Sequence, residues 1–227
     1  MLVMPNYIRT TILFIIILST QIACGQKDSV IDNRFCVKVS PLSLLNHYDG
    51  PCYKVGAEIK LHNNISTYFE YGGYVKIKES IFYAKNNLTG FILKSEIKYY
   101  LNRKNLTTGQ YISLEYSYKN QNFGFWGNIK VDSLTTYYKD YNISKDVSCF
   151  NLKFGEVSNK NKWFIFEYFA GMGILFMKGS NNLTEFEREN IMHGEKQGGN
   201  PAGLIRLTQP WATLSITAGI KLGFRIK

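Results

Sequence analysis

Thr213-Leu214-Ser215-Ile216-Thr217-Ala218-Gly219-Ile220-Lys221-Leu222-Gly223-Phe224-Arg225-Ile226-Lys227 is apolar at every even position and polar or Gly at every odd one. Successive side chains of an extended chain point to opposite faces, so this stretch is a strand with one apolar face. A helix would bring Lys221 and Arg225 together but scatter the apolar residues round every side. Its alternation also runs well past the five or six residues usual for a globular strand.

The same period recurs seven times upstream. Phe35, Val37 and Val39 alternate with Lys38 and Ser40, and Tyr53 to Leu61 with Lys54, Gly56, Glu58 and Lys60. Thr67 to Val75 alternate with Tyr68, Glu70, Gly72 and Tyr74, and Phe91 to Leu101 with Lys94, Glu96 and Lys98. Ile112 to Tyr118 alternate with Ser113, Glu115, Ser117 and Lys119, and Phe150 to Phe154 with Asn151 and Lys153. Phe164 to Ile174 oppose Glu167, Gly171 and Gly173, although Ile165 and Phe169 blur that face. Eight strands is an even number, as in single-chain outer-membrane barrels. Short turns are expected at His62–Asn64, Arg103–Asn105 and Ser158–Asn161, and a barely longer connection at Asn46–Gly50. Longer loops are expected over Glu79–Asn87, Asn120–Asp146 and Lys178–Gln209. Short turns at one end and mostly longer loops at the other match the outer-membrane arrangement.

The polar face decides which side is the inside. It carries Glu58, Glu70, Glu96, Glu115 and Glu167, one carboxylate on each of five strands. It also carries Lys38, Lys54, Lys60, Lys94, Lys98, Lys153, Lys221 and Arg225, among many Gly, Ser and Thr. A barrel of eight strands has room inside only for side chains. Charges there must pair, because a buried ion without a partner costs several kcal/mol. The expectation is therefore an all-β, eight-stranded antiparallel transmembrane barrel over residues 34–227, its lumen largely plugged by a network of these charges. A soluble barrel with the same charges facing water is the competing reading. Tyr99, Tyr100, Tyr116, Tyr118, Trp163 and Trp211 fall near strand ends, where an aromatic girdle belongs.

The first residues read as a targeting segment. Arg9 precedes the apolar run Thr11–Leu18, which is too short to span a bilayer. Ala23 and Gly25 suit cleavage before Gln26, giving a signal peptide at 1–25 and a short segment at 26–33. Lipidation at Cys24 is the alternative, with Gln21 standing where a lipobox prefers Leu. Cys36, Cys52 and Cys149 remain, and a disulfide between Cys36 and Cys52 competes with three small, semi-buried thiols.

Composition narrows the function. The 227 residues carry a formal charge of +10, 15% aromatics and only three histidines. So many large apolar residues exclude a disordered chain. The basic residues are dispersed along strands without a nucleic-acid-binding motif, so attraction to anionic lipopolysaccharide is the expected use of the charge. His47 and His193 lie in loops and His62 in a turn at the opposite end, so no catalytic group, metal site or cofactor is expected. A lipid A deacylase would need a lipid-facing His beside a Ser. Asp49, Asp132, Asp140, Glu187 and Glu189 read as solvated loop carboxylates. Gly198-Gly199-Asn200-Pro201 lacks the strand-and-helix setting of a phosphate loop. Asn-x-Thr sequons such as Asn87-Leu88-Thr89 fit the Asn-rich composition.

Pro41-Leu42-Ser43-Leu44-Leu45 is similar to the first strand of small Bacteroidetes outer-membrane β-barrels of unknown function. Val55–Glu58, Gly90–Leu101, Gly109–Ile112, Phe166–Ile174 and Ala218–Phe224 resemble its later strands. The resemblance implies an OmpA-like barrel in the bacterial outer membrane, without known activity, contacting outer-membrane lipid and, through its loops, a protein partner. The chain ends Phe224-Arg225-Ile226-Lys227 in place of the terminal aromatic usual there. A small porin and a soluble, periplasmic, lipocalin-like ligand-binding barrel remain as alternative functions.

Overall fold

Alternating strands with two dissimilar faces have to shield one face from the solvent that contacts the other, and a closed ring does so without leaving a sheet edge. The computed structural model describes residues 35–45, 50–75, 86–101, 108–132, 135–158, 164–192 and 210–226. Residues 1–34, including the expected signal peptide, lie outside them. The strands are β1 (Phe35–Val39), β2 (Cys52–His62), β3 (Ile65–Tyr74), β4 (Asn86–Tyr100), β5 (Gly109–Lys130), β6 (Thr136–Ser158), β7 (Phe164–Asn181), β8 (Ile191–Met192) and β9 (Trp211–Ile226). From β1 to β7 each pairs antiparallel with the next; β7 pairs with β9, and β9 with β1. Eight strands thus close a barrel, and the two-residue β8 stands outside the ring, paired with β5. The β2–β3 turn and Ile226 mark its lower end, the β5–β6 turn its upper end.

The two faces are sorted in the opposite sense to a water-soluble core. Ile216, Met172, Leu152, Leu114 and Ile97 form one continuous register row across five strands and are 57–81% exposed. Glu58, Glu96, Glu115, Glu167, Lys38, Lys98, Lys153 and Lys221 are at most 1% exposed, inside the ring. Ile165 and Phe169, which blur the alternation in sequence, point inward and join an interior cluster with Cys36, Tyr100, Tyr111 and Val157.

Several expectations are corrected. Asn120–Asp146 is not a long loop: β5 runs to Lys130 and β6 starts at Thr136. Above Asn120 the pattern inverts, with Phe123, Ile129, Tyr141 and Ile143 buried inside and Asn122, Asn128, Asp140 and Asn142 exposed outside. Strand alternation therefore continues with its faces exchanged, so it does not read as more of the same wall. Lys178–Gln209 does not begin as a loop either, since β7 extends to Asn181 and a helix, α1, spans Glu185–Asn190; residues 193–209 lie outside the described residues. The loop expected over Glu79–Asn87 lies mostly outside the described residues, and β4 already starts at Asn86. Pro41–Leu45 forms a 3-10 turn and not a strand; Pro41 has no N–H to offer a ladder, and Ser43 Oγ bonds the carbonyls of Ser40 and Cys52. Cys36, Cys52 and Cys149 are free and buried, with Cys36 in the lower interior cluster and Cys52 in the upper one, so no disulfide joins them. Tyr100 leaves the expected girdle: it is 2% exposed and faces inward. Trp163 and the turns at Arg103–Asn105 and 159–161 lie outside the described residues.

Candidate functional site

The interior is stacked in three tiers. Lowest is the cluster of Cys36, Tyr100, Tyr111, Val157 and Ile165. Uppermost is an apolar cap of Cys52, Tyr74, Leu88, Ile92, Phe123, Ile129, Tyr141, Ile143 and Leu183. Charges occupy the middle.

Inward positions of β1, β2, β4 and β7 bring Lys38, Glu58, Lys98 and Glu167 together. Lys38 Nζ bridges Glu58 and Glu167. Lys98 Nζ does the same from 3.0 Å and 2.8 Å. Lys221 continues the chain, 3.6 Å from Glu167 and 3.1 Å from Glu96. Lys153 joins Glu96 at 3.0 Å to Glu115 at 2.7 Å, and Lys94 joins Glu115 at 3.7 Å to Glu70 at 3.5 Å. Five glutamates and five lysines thus form one connected, formally neutral set. Lys54 and Lys60 share the inward face of β2 and are part-buried, and Arg225 stands opposite Cys36 towards the lower mouth.

Neutral donors complete the carboxylates, as low-dielectric burial demands. Glu58 Oε1 accepts from Tyr100 OH and Ser66 Oγ, both at 2.6 Å. Glu167 accepts from Tyr111 OH at 2.6 Å, Glu96 from Ser113 Oγ at 2.6 Å, and Glu70 from Tyr68 OH at 2.8 Å. Tyr68 also lays its ring 3.8 Å from Lys221 Nζ, a cation–π contact. The ring finds room because it passes over Gly56 of β2, the register partner of Glu70, where a Cβ would lie 2.4 Å from the phenol oxygen. Alternation assigns Tyr68 to the inward face, but the roles of Tyr100 and Tyr111 as donors depend on which distant strands the ring brings opposite them.

The upper end holds a second ionic contact. Thr184 caps α1, and the Glu187 side chain returns to the Thr184 N–H at 2.8 Å, a capping box. Glu187 also accepts from Lys139 and, at 2.9 Å, from Tyr137 OH, both on β6. It is therefore 7% exposed and not the solvated carboxylate expected. Together with β8 on β5, this fastens the β7–β9 connection to the extended hairpin. The Lys139 ammonium and the Thr184 N–H hold the Glu187 carboxyl down at about 2. A depressed carboxyl stabilises the fold fully above its ordinary value near 4.5, and that contribution disappears as pH falls through about 2. The protection factor of the α1 amides, their exchange rate referred to the intrinsic rate at the same pH, should accordingly stay high at pH 5 and fall towards pH 2. Glu187→Gln should show lowered protection at pH 5 that no longer changes towards pH 2, and equal protection in the two proteins at pH 5 would remove the latch.

No group of three His, Cys, Asp or Glu able to hold a metal occurs among the described residues. No family model matches the chain, and no curated protein matches it. A solved structure similar to it is the N-terminal β-barrel domain of Pseudomonas aeruginosa OprF, at 10% identity, covering 86% of this chain and 98% of that one, with a TM-score of 0.35.

Proposed function

We propose that this protein is an outer-membrane β-barrel with a plugged lumen, acting structurally or as a docking element through its upper end. The observation that supports this most is the inversion of faces: a charged, internally neutralised interior within a wall whose exposed side is apolar. In water that wall would expose contiguous aliphatic surface, whereas in lipid it is the stable side. A soluble lipocalin-like barrel would need the reverse interior. On this reading residues 1–25 direct export, the wall contacts outer-membrane lipid, and the net positive charge favours anionic lipopolysaccharide at the upper rim. Membership of a small Bacteroidetes barrel family is part of the same proposal. The helix α1 with the β5–β6 hairpin offers the platform for a protein partner.

The test is gel migration of urea-washed outer membrane, boiled against unboiled. The expected result is a heat-dependent shift in the washed pellet; recovery in the wash with no shift would return the soluble ligand-binding barrel. In planar bilayers the purified protein should show little or no conductance, because each interior lysine of the network is tied to a carboxylate. Steady ohmic channels would replace the plugged reading with the small porin.

A further inference from the structure

The outer wall changes character at a single level. Tyr118, Ser148 and Phe176 share one outward register row, and the next outward row up holds Asn120, Asp146 and Lys178. The outward row above that is Asn122, Ser144 and Ser180. The row of Lys178 therefore marks the upper boundary of the apolar belt, the level at which a lipid's head group lies. Its side chains are unevenly matched. Asp146 Oδ1 accepts from Tyr118 OH at 2.7 Å and from Asn120 Nδ2 at 2.8 Å. Asn122 Nδ2 in turn donates to Asn120 Oδ1 at 3.0 Å. These bonds draw the carboxylate towards β5, away from Lys178, its register partner on β7.

Opposite charges facing each other across strands ordinarily attract. Here they do not close into an ion pair, and the exposed Lys178 ammonium has no polar partner among the described residues. Asp146 Oδ2 likewise accepts no hydrogen bond among them. Below the two charges the wall is grooved, because Ser148 is small and stands between Tyr118 and Phe176. Lys178, Asp146, Tyr118, Ser148 and Phe176 line the upper end of a mostly apolar groove that continues past Leu93. Its volume, about 1290 Å³, exceeds the roughly 300–1,000 Å³ of a pocket for a small molecule. A ligand with its polar end at Lys178 thus has room for a long apolar remainder.

We propose that the upper end of this groove is the binding site of a phosphorylated glycolipid. Lys178 takes the phosphate in a charge-assisted hydrogen bond. Asp146 Oδ2 and the Asn122 amide take sugar hydroxyls, and an acyl chain follows the groove past Ser148. The pairing of charges selects this chemistry. A carboxylate beside the lysine repels a bare phosphate lipid and, having only lone pairs, calls for the hydroxyl donors that a sugar supplies. The inference rests on the outer-membrane reading and turns its general attraction for lipopolysaccharide into one site with named residues.

Native mass spectrometry of the full folded chain in a sugar-free polyoxyethylene detergent tests it, with diphosphoryl lipid A and dioleoylphosphatidic acid as separate probes. One lipid A per chain should be retained, with clear preference over the phosphatidic acid. Lys178→Gln should weaken lipid A binding roughly tenfold or more, as loss of a charge-assisted hydrogen bond does, while Lys178→Arg retains it. Asp146→Asn should weaken lipid A binding and leave phosphatidic acid bound at least as well, because the repulsion is gone. Both side chains face outward, so the variants should keep the heat-dependent gel shift, which separates lost binding from unfolding. A wild-type chain without that shift would fail the outer-membrane reading itself. With the shift present, equal retention of the two lipids, or lipid A binding unchanged in Lys178→Gln, overturns the site.

Discussion

Replacing Glu167 with Leu should abolish most of the heat-resistant folded form. The change removes the carboxylate that Lys38 and Lys98 share and that Lys221 approaches at 3.6 Å, and it takes the acceptor from Tyr111. Breaking a buried pair from one side costs about 3–5 kcal/mol, a large part of the roughly 5–15 kcal/mol that holds a domain folded. Glu167→Gln should fall between, since an amide still accepts from Tyr111 but no longer balances the lysines. The urea midpoint in detergent or vesicles, followed by gel shift, reads the effect. Glu189→Leu on the exposed side of α1 serves as the control. A Glu167→Leu midpoint equal to that of the control would mean that the network fills the barrel without stabilising it.

Ile216→Lys should be almost as damaging, for the opposite reason. Ile216 is 81% exposed, the most exposed of the large apolar residues among the described residues, and belongs to the aliphatic row that includes Met172 and Leu152. A lysine on the lipid face near the bilayer midplane costs roughly 2–4 kcal/mol, falling to about 0–1 kcal/mol near an interface. Phe224→Lys, on the same face towards the lower end, should therefore be milder. Folded fractions in phospholipid vesicles measure both. A soluble barrel makes the reverse prediction, because an exposed Ile replaced by Lys in water leaves stability unchanged and improves solubility. The two variants together separate the faces: charge removed from inside and charge added outside should both unfold the protein.

Much of this was legible because alternation is a local property. The backbone sends successive side chains to opposite sides whatever the rest of the chain does, so Leu214–Ile226 and its seven counterparts disclosed strand number, face polarity and the candidate interior charges. What failed to read also had local causes. Ile165 and Phe169 look like faults in an alternating strand until the lower interior supplies them with apolar neighbours. Phe123, Ile129, Tyr141 and Ile143 looked like parts of a loop because above Asn120 the inward positions are apolar and the outward ones polar, the reverse of the wall below. Pro41–Leu45 reads as a strand only through its resemblance to a barrel family's first strand, while the bonds of Ser43 to Ser40 and Cys52 make it a turn.

By itself, then, the sequence determined an eight-stranded ring with its charges on one face and its aliphatic side chains on the other. Only the tertiary structure decided which charge meets which. Lys38 and Glu167 are 129 residues apart, and Lys221 and Glu96 are 125 apart. Their contacts follow from ring closure and from the register of every pairing between them, neither of which period two encodes. The short reach of β1 along β9, from Leu222 to Ile226, has the same origin, since it depends on where the turn at Pro41 draws the chain out of the ladder.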